Sequence, residues 1–192
     1  MSARPVVSAR TASSSKAPAP ETKVGHYCLV HPTATIAGTH PITIGSKAVI
    51  QLRCRLDSTH GPITIGAHTT VAERASIICP TASSGADSLI SIGDGVIIET
   101  GATVLASTIG DYTIIEVGAE VGEGAVIGAY CKVCAGVRVG SGEKLEDGTV
   151  VWGSEWGQRR VEQEGKGLRA ADGRRLMAEG LGEGMRALWS TK

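Results

Sequence analysis

The sequence predicts an all-β fold, a parallel β-helix wound as a triangular prism and closed by a C-terminal α-helix packed on it. Three observations predict it. An aliphatic residue recurs every six positions without a slip: Ile109, Ile115, Val121, Ile127, Val133, Val139, Leu145 and Val151. The next position is often Gly (Gly110, Gly122, Gly128, Gly140), and the fourth is usually small (Thr113, Ala119, Ala125, Cys131, Val137, Thr149). Finally, the chain holds 26 Gly and no Phe, so its interior must be aliphatic and fine-grained. A period of six suits neither a helix nor a hairpin strand. It marks hexads that each supply one short strand and one corner, with about 18 residues to a coil.

The elements follow in order. Residues 1–24 are rich in Ser, Ala and Pro, carry no apolar periodicity and read as a disordered tail. An organellar presequence is the rival, because Arg and Ser occur and no acid precedes Glu21; Pro5, Pro18 and Pro20 suit it poorly. The prism is expected over 25–156. Its frame opens at Val30 and Ile36, then runs 44-50-56, 65-71-77 and 92-98-104. The steps from 36 to 44, 56 to 65, 77 to 92 and 104 to 109 break the period. Each break follows three hexads, so every length change should fall on one corner. The echoes THPITIG (Thr39–Gly45), THGPITIG (Thr59–Gly66) and SLISIG (Ser88–Gly93) are that corner met once per coil. The longest loop there, Pro80–Ser88, is small and polar. Gly after the aliphatic residue is expected to supply the turn conformation. About seven coils at ~4.8 Å make a rod of roughly 30 Å, whose ends must be capped or used.

Beyond the frame, 157–192 reads as a linker and a helix. Asp172 can cap it, and Leu176, Met177, Leu181, Met185, Leu188 and Trp189 fall at helical spacing. Gly180, Gly182 and Gly184 each cost about 1 kcal/mol against Ala, so this helix needs the prism to persist.

Bulk properties narrow the function. Lys+Arg and Asp+Glu are both 19, and a neutral chain is a poor match for nucleic acid. It also has little electrostatic defence against association. No apolar run approaches the roughly 20 residues of a membrane span. Five Cys, an odd and scattered set, suit a reduced intracellular protein.

The hexad pattern is similar to that of acyltransferases and γ-class carbonic anhydrases, a resemblance that implies left-handed winding, against the usual crossover rule. The carbonic-anhydrase class holds zinc with one His at a strand end and a later H-x4-H pair. Here the first place falls on Asp57 and the pair on Thr100 and Leu105, so the three protein ligands of a zinc enzyme are missing. A weaker metal candidate is the stacked set His40, His60 and Asp87 on the variable corner; the alternative makes them corner residues before Pro. Cys131 and Cys134 form a lone CxxC, with Cys131 in the small-residue slot, which favours packing. An acyltransferase needs a catalytic His, for which His26, His31 and His68 remain, with no base or nucleophile paired to any in sequence.

IGDGVIIETGATV, STIGDYTIIEVGAEVGEGAVIGAYCKV and the exit TVVWGSEWGQRRV, together with the opening VHPTATIAGTHPITIG, resemble the dynactin subunit 6 family. The likeness spans about residues 28 to 161, and the exit is its most specific part. It implies a non-catalytic scaffold without cofactor in the dynactin pointed-end complex. It further implies pairing with dynactin subunit 5 beside dynactin subunit 4 and an actin-related protein, in the cytoplasm and cytoskeleton, where dynein engages cargo such as endosomes. Trp152, Trp156 and Trp189 near the C-terminal end, with Arg159 and Arg160 of the exit, are the partner-binding candidates. The alternative is an enzyme on the same fold, zinc-dependent or acyl-transferring.

Overall fold

The computed structural model describes residues 19–81, 89–105, 108–153 and 158–161. Most of the tail, the loop 82–88 and the segment from 162 onward, including the expected helix, lie outside the described residues.

The fold is an all-β parallel solenoid with three sheets. The first sheet stacks Thr22–Val24, Ile42–Ile44, Ile63–Ile65, Ile90–Ile92, Thr108–Ile109, Val126–Ile127 and Lys144–Leu145. The second stacks Leu29–Val30, Val49–Ile50, Thr70–Val71, Ile97–Ile98, Ile114–Ile115, Lys132–Val133 and Thr149–Trp152. The third stacks Thr35–Gly38, Arg55–Ser58, Ser76–Ile78, Thr103–Val104, Glu120–Val121 and Arg138–Val139. The expected seven coils are therefore about six full turns, since the third sheet has six strands. After Val151 the chain does not leave at once: Gln158–Val161 returns antiparallel on Thr149–Trp152, placing Arg159 opposite Val151.

The frame residues from Ile44 to Val151 all lie in the core, with Val24, Val30 and Ile36 half-buried at the first coil. Each pairs with its counterpart one coil on, as Ile44 with Ile65 and Ile92 with Ile109. Every break of the period falls between the third and first sheets. The added length also admits Ile42, Ile63 and Ile90 to the core, which the six-residue frame had not included.

The corners work differently from expectation. The left-handed backbone conformation sits three residues after the aliphatic, at Tyr27, Lys47, His68, Tyr112 and Tyr130 between the first and second sheets, and at Gly118 and Gly136 between the second and third. The Gly directly after the aliphatic answers to close approach instead. Gly45 N–H donates to the Ile65 carbonyl at 2.7 Å, and a Cβ on Gly45 would lie 2.6 Å from Ala67 N. The atoms it would meet, in Gly66 and Ala67 of the next coil, are all backbone, so no flexible side chain can yield.

Two substitutions separate these roles. Gly45→Ala should cost about 3 kcal/mol through overpacking against backbone. Gly118→Ala, which meets nothing within 4 Å at φ +65°, should cost about 1–2 kcal/mol from conformation alone. Urea unfolding measures both; equal losses would refute the close-approach account.

Candidate functional site

The small slot four residues after the aliphatic points into the prism and is a hydrogen-bonding position. Cys28 Sγ donates to Gly45 O at 2.8 Å, Cys54 Sγ to Ala72 O at 2.9 Å and Thr69 Oγ1 to Gly93 O at 2.8 Å. Thr113 Oγ1 donates to Gly128 O at 2.9 Å, and Cys131 Sγ to Glu146 O at 3.1 Å. Each acceptor is the residue after the frame aliphatic one coil on, so the slot ties successive corners together.

Carboxylates do the same work outside. At the corner between the first and second sheets, Asp94 accepts from Ala67 N at 2.6 Å, Asp111 from Asp94 N at 2.8 Å and Asp147 from Ala129 N at 2.8 Å. Between the second and third sheets, Glu99 accepts from Val117 N at 3.1 Å and Glu116 from Ala135 N at 2.9 Å. These amides point along the stack and have no ladder partner, so a carboxylate from the neighbouring coil satisfies them. Sequence reasoning did not find these residues. The available signal was an acid one or two places after a frame aliphatic, as in IGD and IIE.

The same two corners carry the surface features. Tyr112 and Tyr130 stack with ring centroids 5.5 Å apart. Lys132 Nζ meets Glu116 at 2.6 Å, and this hydrogen bond holds the Lys132 ammonium above its usual pKa. Val117 is 51% exposed and Trp152, at the last strand's end, 36% exposed.

Of the candidate metal and catalytic residues, His40 is tied to the next coil. His40 Nδ1 lies 2.9 Å from the Ser58 carbonyl, while buried Ser58 donates its hydroxyl back to His40 O at 2.8 Å. His60 sits exposed on the same corner one coil on, and Asp87 lies outside the described residues. Among the described residues, no group of three His, Cys, Asp or Glu side chains could hold a metal ion. Asp57, at the first zinc-ligand place, bonds Arg55 at 2.7 Å and accepts from Thr59 N at 3.1 Å. Burial opposes its ionisation, but Thr59 and Arg55 outweigh burial and hold the carboxyl below its usual range. Thr100 is exposed and Leu105 half-buried. His26 and His68 share the corner between the first and second sheets with a coil between them, whereas His31 lies on the next corner and takes the Thr33 amide at its Nδ1. The CxxC splits: Cys131 is buried in its slot, Cys134 is half-buried at the corner, and neither is in a disulfide. Trp156 and Trp189 lie outside the described residues; Arg159 and Arg160 are placed by backbone register only.

A three-sided stack of hexad coils with internally bonded corners defines the class: a hexapeptide-repeat parallel β-solenoid. Solved structures agree on the fold. A hexapeptide transferase family protein from Anaplasma phagocytophilum matches with a TM-score of 0.68 at 17% identity, over 85% of this chain and 92% of that one. An N-acyltransferase from Bacillus cereus matches with a TM-score of 0.64 at 19% identity, over 79% of this chain and 88% of that one. At such identity the likeness is one of fold. No protein-family model matches the chain. Dynactin subunit 6 of Nematostella vectensis is 31% identical over 148 residues, which cover 74% of this chain and 79% of that protein. Dynactin subunit 6 of Xenopus tropicalis is 30% identical over 161 residues, covering 80% and 78%. The chain belongs to the dynactin subunit 6 family.

Two tests follow from the corner bonds. Asp111→Ala should cost about 1 kcal/mol by orphaning the Asp94 amide, and Asp111→Asn, which keeps an acceptor, should recover at least half; urea midpoints check it. Burial pushes the Cys54 and Cys79 thiols up to about 11 from 9.0. A pKa raised on folding stabilises while the thiol is protonated, so this contribution is whole below about pH 9 and lost as pH rises toward 11. An alkylating reagent at pH 8 should reach Cys28 and Cys134 in the native chain and all five thiols after unfolding. The urea midpoint of Cys79→Ala should fall less between pH 9 and 11 than that of the unmodified chain.

Proposed function

We propose that this chain is a non-catalytic scaffold subunit of the dynactin pointed-end complex, built on a left-handed prism. In this reading it pairs with dynactin subunit 5, beside dynactin subunit 4 and the pointed-end actin-related protein. It supports dynein-driven movement of cargo such as endosomes along microtubules in the cytoplasm.

The observation that carries this reading is kinship with dynactin subunit 6 proteins over about three quarters of the chain. Corner chemistry supports it. The corner residues Asp111, Glu116 and Cys131 are engaged in bonds between coils, and Asp57, at the first zinc-ligand place, is locked by Arg55 and Thr59. A chain of zero net charge, with Val117 and Trp152 exposed near the late coils, suits protein contact. Trp152 is the described anchor among the candidates, with Trp156, Arg159, Arg160 and Trp189 belonging to the same end in this reading.

Affinity purification of the tagged full chain from cells that express it should recover the other pointed-end subunits in near-equal amounts. Trp152→Ala should lower that recovery about 10-fold, the loss of one interface anchor, with the melting temperature little changed. Absence of dynactin subunits, or one bound zinc per chain with CO2 hydration activity, would favour the enzyme reading instead.

A further inference from the structure

The three outer faces differ in what they present. On the second sheet the outward position before the frame aliphatic is mostly apolar, and Val49 and Ile97 there are buried. On the third sheet the charges are paired within the face, Arg55 to Asp57 at 2.7 Å and Arg138 to Glu120 at 2.8 Å. The first sheet is left open: Thr43, Thr64 and Thr108 hold the outward position and are exposed. Its border is strongly charged over the late coils. Residues 89–153 carry nine Asp and Glu against Lys132, Arg138 and Lys144, whereas residues 19–81 carry three acids against five Lys and Arg. Zero net charge over the whole chain hides that polarity.

Along the corner between the first and second sheets, Asp94, Asp111, Glu146 and Asp147 are exposed, and among the described residues none of the four is in an ion pair. Each Asp spends Oδ1 on an amide of a neighbouring coil, which leaves Oδ2 to accept from outside. In the next column Tyr112 and Tyr130 stack with centroids 5.5 Å apart and rings 13° from parallel. The coils on either side carry Gly95 and Gly148 in that column, so no side chain of the column covers the outer ring faces. Carboxylates beside open aromatic faces suit a guanidinium, which is planar, donates as a fork and stacks on rings; an ammonium lacks the fork and the plane. Asp94, Asp111 and Asp147 stand on the first, second and fourth coils of their column, a span of about 14 Å at ~4.8 Å per coil. Alternate side chains of an extended segment share one face about 6.8 Å apart, so three of them cover the same length.

We infer that the acidic border of the open first sheet, over its late coils, docks an extended segment of a partner protein that carries Arg at alternate positions. Its guanidinium groups meet the Asp94, Asp111 and Asp147 carboxylates, with Glu146 beside the last, and stack on the Tyr112–Tyr130 pair. Two features confine the segment to this corner. Lys144, exposed on the last strand of the first sheet, opposes its spreading across the face. Lys47 and His68 hold the tyrosine column in the early coils, so the attraction ends there. In the scaffold reading this is a contact apart from Trp152, but the inference does not rest on that reading, and its test uses no dynactin subunit.

The test titrates the full chain into a dye-labelled Arg-Thr-Arg-Thr-Arg peptide, or its Lys-Thr-Lys-Thr-Lys counterpart, and reads fluorescence anisotropy. The Arg peptide is expected to bind about 5-fold tighter than the Lys peptide, and to weaken about 10-fold when salt is raised about fourfold. Asp147→Asn with Glu146→Gln should weaken it about 10-fold; Asn keeps an acceptor for the Ala129 amide, so the urea midpoint should hold. Tyr112→Leu with Tyr130→Leu should bring the two peptides within about 2-fold of each other. Glu120→Gln, on the third sheet, should change neither. The inference is overturned if the Arg peptide does not bind at about 1 mM chain, if both peptides bind equally, or if either double variant binds as the unmodified chain does. It is equally overturned if Glu120→Gln costs as much as the corner variant. A concentration-dependent dimer in sedimentation that the corner variant dissociates would also overturn it, since a second copy would then hold the border.

Discussion

The whole molecule depends on the close approach of one coil to the next at the corner after each frame aliphatic. There the amide of Gly45, Gly66, Gly93 or Gly110 donates to a carbonyl one coil on, at 2.7–2.8 Å. At these four corners after the first sheet only a residue without a Cβ fits, whereas after the second sheet Gln51, Ala72, Glu99 and Glu116 make the same bond with a side chain in place. Once that contact sets the spacing, strand pairs fall into register, and each frame residue stacks on its counterpart. Because a solenoid's stability is a sum over such neighbouring interfaces, one corner failure is repeated in no other coil but opens the stack where it occurs.

That geometry also explains the polar chemistry. A corner leaves amides and carbonyls pointing along the axis, where the strands no longer pair them. The chain answers with short side chains inside and acids outside. Cys and Thr in the small slot reach a carbonyl one coil on; Asp and Glu reach an amide. Cys28, Cys54, Cys131, Asp94, Asp111, Asp147, Glu99 and Glu116 therefore have structural duties. Burial raises the Cys54 and Cys79 thiols to about 11, so they stay protonated well into the alkaline range. The surface left for recognition consists of exposed Thr and charged side chains on two faces and a few large groups, such as Tyr27, Val117 and Trp152, on the edges.

The candidate site was partly legible. The unsuitability of Asp57, Thr100 and Leu105 as zinc ligands could be read from position alone, because the repeat converts sequence number into place on the prism. The engagement of His40 with Ser58 could not, since it depends on how a corner of irregular length folds back. The partner-binding candidates remain a matter of proposal: Trp152 is exposed, while Trp156 and Trp189 fall outside the described residues.

By itself, the sequence determined the fold class, the three-sided winding, the core residues and the corner that takes every change of length. A strict period of six admits one solution: each aliphatic must lie above the last. The number of full turns, the purpose of each corner Gly and the return of Gln158–Val161 onto the second sheet were decided by the tertiary structure. So were the extra core residues Ile42, Ile63 and Ile90, and the burial of Val49 and Ile97 on an outer face. Each of these depends on what sits beside a residue one coil away or across a face, and a linear pattern carries no term for that neighbour.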